Sequence, residues 1–277
     1  GYGVWKSVDA GKTWKASGLK NSRHIPRMAV HPMNSDIVYA GVMGNIYKSS
    51  DERGVYKSTD GGKTWRKTLF ANADAGVVDL IMDPTNPRIL YASTWRVRRT
   101  PYSLSSGGDG SALWKSTDSG ETWTEISTKK GFPEGTLGII GVTVSPLNNQ
   151  RVWAIVENKD KGGLYRSEDG GDTWKYINTY NNRPFYYSQI RINPHDDQRV
   201  YLLTTSFRVS TDGGVTLTNG SEDQEVHGDF HGMWLDPTDP DRYYLGADKG
   251  LSLTHDHGAH FQLLDNLPIA QFYRINF

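Results

Sequence analysis

Along the chain, short stretches of alternating apolar and polar residues are cut by clusters of Gly, Pro, Asn and Asp. Period-two alternation in short runs marks half-buried strands rather than helices. Two such patterns recur. In the first, an apolar strand, a turn rich in Pro, Asn and Asp, and a second apolar strand occupy 28–39, 80–91, 142–153, 190–201 and 233–244. In the second, a short strand such as Gly54-Val-Tyr-Lys57 runs into Ser-x-Asp-x-Gly-x-Thr-Trp, at 7–14, 58–65, 116–123 and 167–174. Two worn copies follow, Ser210-Thr-Asp-Gly-Gly-Val-Thr-Leu217 and Thr254-His-Asp-His-Gly-Ala-His-Phe261. Their aspartates, Asp9, Asp60, Asp118, Asp169, Asp212 and Asp256, are spaced 51, 58, 51, 43 and 44 residues apart.

That spacing is the length of a four-stranded blade with its loops, so the fold predicted is an all-β β-propeller. Strands A and B flank the Pro turn, and strands C and D flank the Asp turn. The organisation expected is one domain over 1–277: a half-blade at 1–20, blades at about 25–70, 77–127, 139–178, 186–219 and 229–265, and a terminal strand at 269–277. The terminal strand reads as a new strand A. It either closes a six-bladed ring on the half-blade or marks a piece of a larger propeller, and the missing strand B favours the second. The Asp turn is a structural device: Gly permits positive φ, Ser and Asp side chains satisfy turn backbone groups, and Trp packs between sheets. Catalytic aspartates would be one or two special copies, not six similar ones.

Composition narrows the classes of function. Lys+Arg and Asp+Glu are both 31, so no basic field suits bulk nucleic-acid binding. There is no Cys, which excludes disulfides and thiolate chemistry. No apolar run nears the roughly 20 residues of a membrane span. No leader segment is visible, although the chain begins inside a repeat.

In propellers the D–A and B–C loops share one face and the Asp turns the other, so the loops at 43–53, 95–111, 125–138 and 176–187 are where a ligand is expected. His227-Gly-Asp229-Phe-His231 enters a strand A, and period two places His227, Asp229 and His231 on one side of it. They read as ligands for a divalent metal, as acid/base groups, or as an inter-blade hydrogen-bond cluster; no other cofactor is expected. In the loop at 95–111, Arg96, Arg98 and Arg99 suit a carboxylate or phosphate, with Trp95 and Tyr102 as platforms. The alternative is a solvated loop whose arginines pair with Asp51 and Glu52. Arg183, Tyr186 and Tyr187 in Arg183-Pro-Phe-Tyr-Tyr187 carry the same ambiguity. His255, His257 and His260 in the last Asp turn stand close enough for metal, on the structural face. For a glycosidase, the acids are Asp229 with Asp79, Asp51 or Glu52.

The repeated Asp turn resembles the Asp-box, or BNR, superfamily, which includes sialidases, xyloglucanase-type glycosidases and sortilin-type receptors. Glu52-Arg-Gly-Val-Tyr-Lys-Ser-Thr-Asp-Gly-Gly-Lys-Thr-Trp65, Trp95-Arg-Val-Arg-Arg-Thr-Pro-Tyr102, Arg183-Pro-Phe-Tyr-Tyr187, Val226-His-Gly-Asp-Phe-His-Gly-Met-Trp-Leu-Asp-Pro237 and Asn266-Leu-Pro-Ile-Ala-Gln-Phe-Tyr273 are similar to bacterial sortilin-related propellers labelled glycosyl hydrolase. The resemblance implies an exported protein. It argues against a sialidase, because the Arg-Ile-Pro signature is absent and His24-Ile-Pro-Arg27 has the wrong order. It favours a non-catalytic scaffold presenting its loop face to a protein, peptide or glycan, with no membrane insertion. A glycoside hydrolase acting on a polysaccharide is the alternative, and a metal-dependent hydrolase using His227 and His231 a third.

Overall fold

The structure is a computed structural model describing residues 2–221, 226 and 228–266. His227 and the expected strand at 269–277 lie outside the described residues. All the described regular structure is β, joined antiparallel between sequence neighbours as hairpin repeats require. A two-stranded sheet comes first, β1 (Trp5–Lys6) and β2 (Lys15–Ala16). A four-stranded sheet follows, β3 (Arg27–Val30), β4 (Val38–Val42), β5 (Gly54–Ser58) and β6 (Arg66–Leu69). The next contains β7 (Ala75–Met82), β8 (Leu90–Arg99), β10 (Ala112–Ser116) and β11 (Thr124–Glu125), with β9 (Leu104–Ser106) folded back onto β8.

Three four-stranded sheets complete the described chain. They are β12 (Leu137–Val144), β13 (Val152–Asn158), β14 (Gly163–Ser167) and β15 (Lys175–Asn178); β16 (Gln189–Ile192), β17 (Val200–Leu203), β18 (Phe207–Ser210) and β19 (Thr218–Asn219); and β20 (Phe230–Leu235), β21 (Tyr243–Ala247), β22 (Gly250–Thr254) and β23 (Gln262–Leu263). The chain divides into two compact units, Gly1–Val142 and Thr143–Phe277. In the first unit Tyr39, Val55, Val77, Leu80, Leu90 and Ala92 pack into one cluster. In the second, Tyr201, Phe207, Phe230, Met233 and Tyr243 form an aromatic-rich one.

All six Asp turns close in the same way. In the second, Ser58 Oγ donates to Asp60 Oδ1 at 2.8 Å and accepts from the amides of Asp60 and Gly62. Thr64 donates its amide to Asp60 Oδ1 and its hydroxyl to Oδ2 at 2.6 Å. The worn copies keep the network: Thr216 serves Asp212, and in the last turn Thr254 replaces Ser while His260 Nδ1 meets Asp256 Oδ2 at 2.7 Å. That imidazole stands where the other turns have a hydroxyl. His257 Nε2 lies 2.6 Å from Asp241 Oδ1, so these histidines belong to the turn.

Within the first unit, one buried carboxylate ties residues of three strands together. Asp79 on β7 receives Arg27 Nε of β3 at 2.9 Å on Oδ1 and the Val142 amide of β12 at 3.1 Å on Oδ2. Asp79 is 4% exposed, so its oxygens serve the fold; the candidate acid of the sequence reading is a packing residue.

Candidate functional site

In the second unit two segments that the sequence offered separately come together. Before β16 the chain turns tightly, with the amides of Tyr186 and Tyr187 both donating to Arg183 O. Arg183 takes φ 49°. Its guanidinium lies 5.1 Å from the centre of the half-exposed Tyr186 ring, while Tyr187 is buried. Before β20, Asp229 takes φ 65°, its amide donating to Thr205 O and its carbonyl accepting the Asp248 amide. For residues other than Gly this left-handed region costs about 1–2 kcal/mol, and such strain gathers at functional sites.

The side chains converge on the Tyr187 phenol. The Asp229 carboxylate lies close enough to act on it, and the Tyr187 ring lies 5.7 Å from the His231 ring. His231 Nε2 meets Asp248 Oδ1 at 2.8 Å, and Gln189 Nε2 donates to the His231 carbonyl at 2.6 Å. Burial first, then the Asp229 carboxylate, push the Tyr187 phenol up to about 12. The phenol thus stays protonated across the neutral range, a donor facing that carboxylate. The result is a carboxylate beside a buried tyrosine, a His–Asp pair next to it and an arginine on a half-exposed ring. These groups can hold hydroxyl groups and transfer a proton.

The route to this cluster differs from period two. β20 begins at Phe230, after Asp229, and its register against β21 skips a residue between Phe230 and Gly232, leaving His231 in the irregularity. Backbone φ and a bulge, rather than alternation, bring Asp229 and His231 to one tyrosine. Among the described residues no group of three or more His, Cys, Asp or Glu could hold a metal. Asp248 was missed by sequence reading. Its signal was pairing: Phe230 opposes Ala247, so the residue after β21 must face the one before β20.

In the first unit the segment at 95–111 is a hairpin rather than a loop, because β8 continues through Arg99 and pairs with β9. Trp95 is buried and donates Nε1 to Ser106 Oγ at 2.9 Å, so it offers no platform. Tyr102, at the hairpin tip, is 91% exposed. Arg98 pairs with Asp74 at 2.6 Å and reaches Ser49, not Asp51 or Glu52. The amide of Arg99 donates to Ile46 O, tying the loop at 43–53 to the hairpin. Glu52 acts electrostatically on Tyr56 and Lys67, and the Asp51 carbonyl accepts from Lys67. Neither acid is brought near Asp74 or Arg98 by a hydrogen bond.

Residues 2–130 match the Sortilin-Vps10 family model (sortilin, neurotensin receptor 3). A xyloglucanase of Acetivibrio thermocellus is 29% identical over 182 residues, 55% of this chain and 20% of that protein. A Paenibacillus xyloglucanase is 27% identical over 186 residues, 57% of this chain and 16% of its own length. The chain therefore spans about a fifth of the length of these relatives. Among solved structures, an ancestral GH74 enzyme superposes with a TM-score of 0.66 at 18% identity, over 95% of this chain and 36% of the other. The GH74 xyloglucanase of Xanthomonas campestris gives 0.55 at 17%, over 96% of this chain and 56% of its own. At such identities the superpositions speak for fold alone. Six Asp turns with one network and antiparallel four-stranded blades make this chain an Asp-box β-propeller, similar over residues 2–130 to the sortilin family.

Proposed function

We propose that this chain is part of a glycoside hydrolase acting on a polysaccharide of the xyloglucan class. The observation that carries the reading is that bacterial and fungal relatives named as xyloglucanases match over 48% to 66% of it. The cluster around Tyr187 supplies suitable chemistry. Asp229 is the carboxylate we assign to proton transfer, Tyr187 the group that orients it, and the His231–Asp248 pair a holder of sugar hydroxyls. Glycoside hydrolysis needs two carboxyl groups about 5–9.5 Å apart across the bond, and Asp248 is the second candidate. Acting on such a polymer requires export, and we infer it here.

Reducing-sugar release from xyloglucan by the full-length protein tests this. Asp229→Asn is expected to lower kcat by about 100-fold or more with little change in KM, and Tyr187→Phe to act in the same direction more weakly. Undiminished turnover by Asp229→Asn would remove that residue from the chemistry. A protein that binds xyloglucan without releasing sugar would instead support a binding propeller, the reading that the Sortilin-Vps10 match favours.

A further inference from the structure

A second site lies in the first unit, and it does not rest on the proposed hydrolase. Beside the β8–β9 hairpin opens a cleft of about 660 Å³, lined by Asn72, Asp74, Arg96, Gly107, Gly108 and Asp109. We propose that Arg96 in this cleft binds the carboxylate of an acidic sugar, a uronic acid within a glycan.

Arg96 projects from β8 between buried Trp95 and Val97, which fix its stem on the outer side of the hairpin. Gly108, at φ 132°, lets the backbone run under that stem, since a Cβ there would stand 3.4 Å from Arg96 Cδ. A guanidinium carries five N–H donors, and the fold takes one of them, on Ser105 Oγ. Among the described residues no carboxylate stands within ion-pair distance of Arg96, because the nearby acid is taken. Asp74 accepts from Ser49 and Arg98 on Oδ1, and Ser49 foremost, then Arg98 and Arg53, hold its carboxyl below the usual range. Arg53 is fully buried and donates to the carbonyls of Asp74, Asn45 and Lys48.

Arg53, Arg96 and Arg98 thus gather about this cleft against two acids, Asp74 and Asp109 on the exposed rim, which leaves one positive charge in excess among them. One spare planar fork and one excess charge suit a monoanionic, two-oxygen partner better than a dianion. Tyr102 and Tyr47, exposed by 91% and 62%, stand on the hairpin tip and the loop tied to it, where they offer rings to sugar faces.

Calorimetric titration of the full chain with oligogalacturonate, with its methyl-esterified form and with inorganic phosphate is the test. The free acid is expected to bind, the ester about tenfold more weakly or worse, and added salt to weaken the acid alone. Arg96→Gln is expected to lower affinity for the acid about tenfold and leave that for the ester unchanged. Arg96→Lys, which keeps the charge and loses the fork, falls between. Arg66→Gln, at an exposed pair with Glu121, leaves binding intact. Melting curves matching the parent's certify the variants. Equal binding of acid and ester, phosphate competing as well as the uronate, unaltered affinity in both Arg96 variants, or no binding of the acid would each overturn the proposal.

Discussion

Ser119, Ala10 and His257 follow the aspartate of their turns with φ of 63°, 57° and 59°, where the other three turns have Gly61, Gly170 and Gly213. The sequence reading recognised a need for Gly at the next position but not at this one, since three of six copies carry a side chain. Positive φ is strained for Ser and Ala, and Gly removes the strain while adding chain entropy to the unfolded state. Ser119→Gly is expected to raise stability by about 0.5–1 kcal/mol, read as a higher urea midpoint with the same slope. The substitution leaves intact the bonds that Tyr39 and Lys57 make to the Ser119 carbonyl. An unchanged or lowered midpoint would show that the turn tolerates the side chain without cost. Other residues were misread for lack of neighbours: Trp95 looks like a platform until Ser106 folds back to receive its indole, and Asp79 like an acid until Arg27 arrives.

At the scale of strands, the repeat made the hairpins legible, because each carries its own turn chemistry and its own alternation. The extension of β8 past Ser93 follows the same alternation, with Trp95, Arg96, Val97 and Arg98 buried and half-buried in turn. Bulges were not legible. The irregularities at Val77/Asp79 on β7 and at Phe230/Gly232 on β20 decide where Asp79 and His231 point, and one-residue insertions leave no compositional trace. Asp79 also supplies the test of how strands A are held together. Breaking a buried ion pair strands the partner charge, so Asp79→Asn is expected to cost roughly 3–5 kcal/mol. The double change Arg27→Met with Asp79→Leu leaves no charge behind and is expected to cost less. Chemical denaturation of the three variants decides, and a double variant worse than the single one would mean that the pair contributes more than charge compensation.

Over the whole molecule, the six Asp turns act as a distributed dependence on acid. Thr13 through its hydroxyl and then its amide, with Ser7, holds the Asp9 carboxyl at about 2; Thr122 does the same for Asp118, and the amide and hydroxyl of Thr216 for Asp212. For Asp169, burial acts upward and is outweighed by Thr173 and Ser167, leaving it at about 2 as well. Asp60 and Asp256 are depressed by the same kind of contact, from Thr64 and His260. A carboxyl whose folded pKa lies below its unfolded value contributes stability that is complete above the unfolded value, near 4, and is lost as pH falls toward the folded one. Opposite in sense, the phenols of Tyr39, Tyr56, Tyr165 and Tyr187, raised to about 12 with burial foremost, contribute stability present below about 10 and lost as pH rises through 12. The urea midpoint is therefore expected to be flat between about pH 5 and 9, to fall as pH drops from 4 to 2, and to fall again in strong alkali. Each compact unit carries three Asp turns, so both are expected to soften over the same acid range. Thr64→Val removes one hydroxyl donor to Asp60 and should shrink the acid-dependent part of the stability without moving the alkaline limb. A midpoint indifferent to pH between 4 and 2 would mean that the turns keep their networks with the carboxyls protonated, and that their aspartates are held by shape rather than by charge.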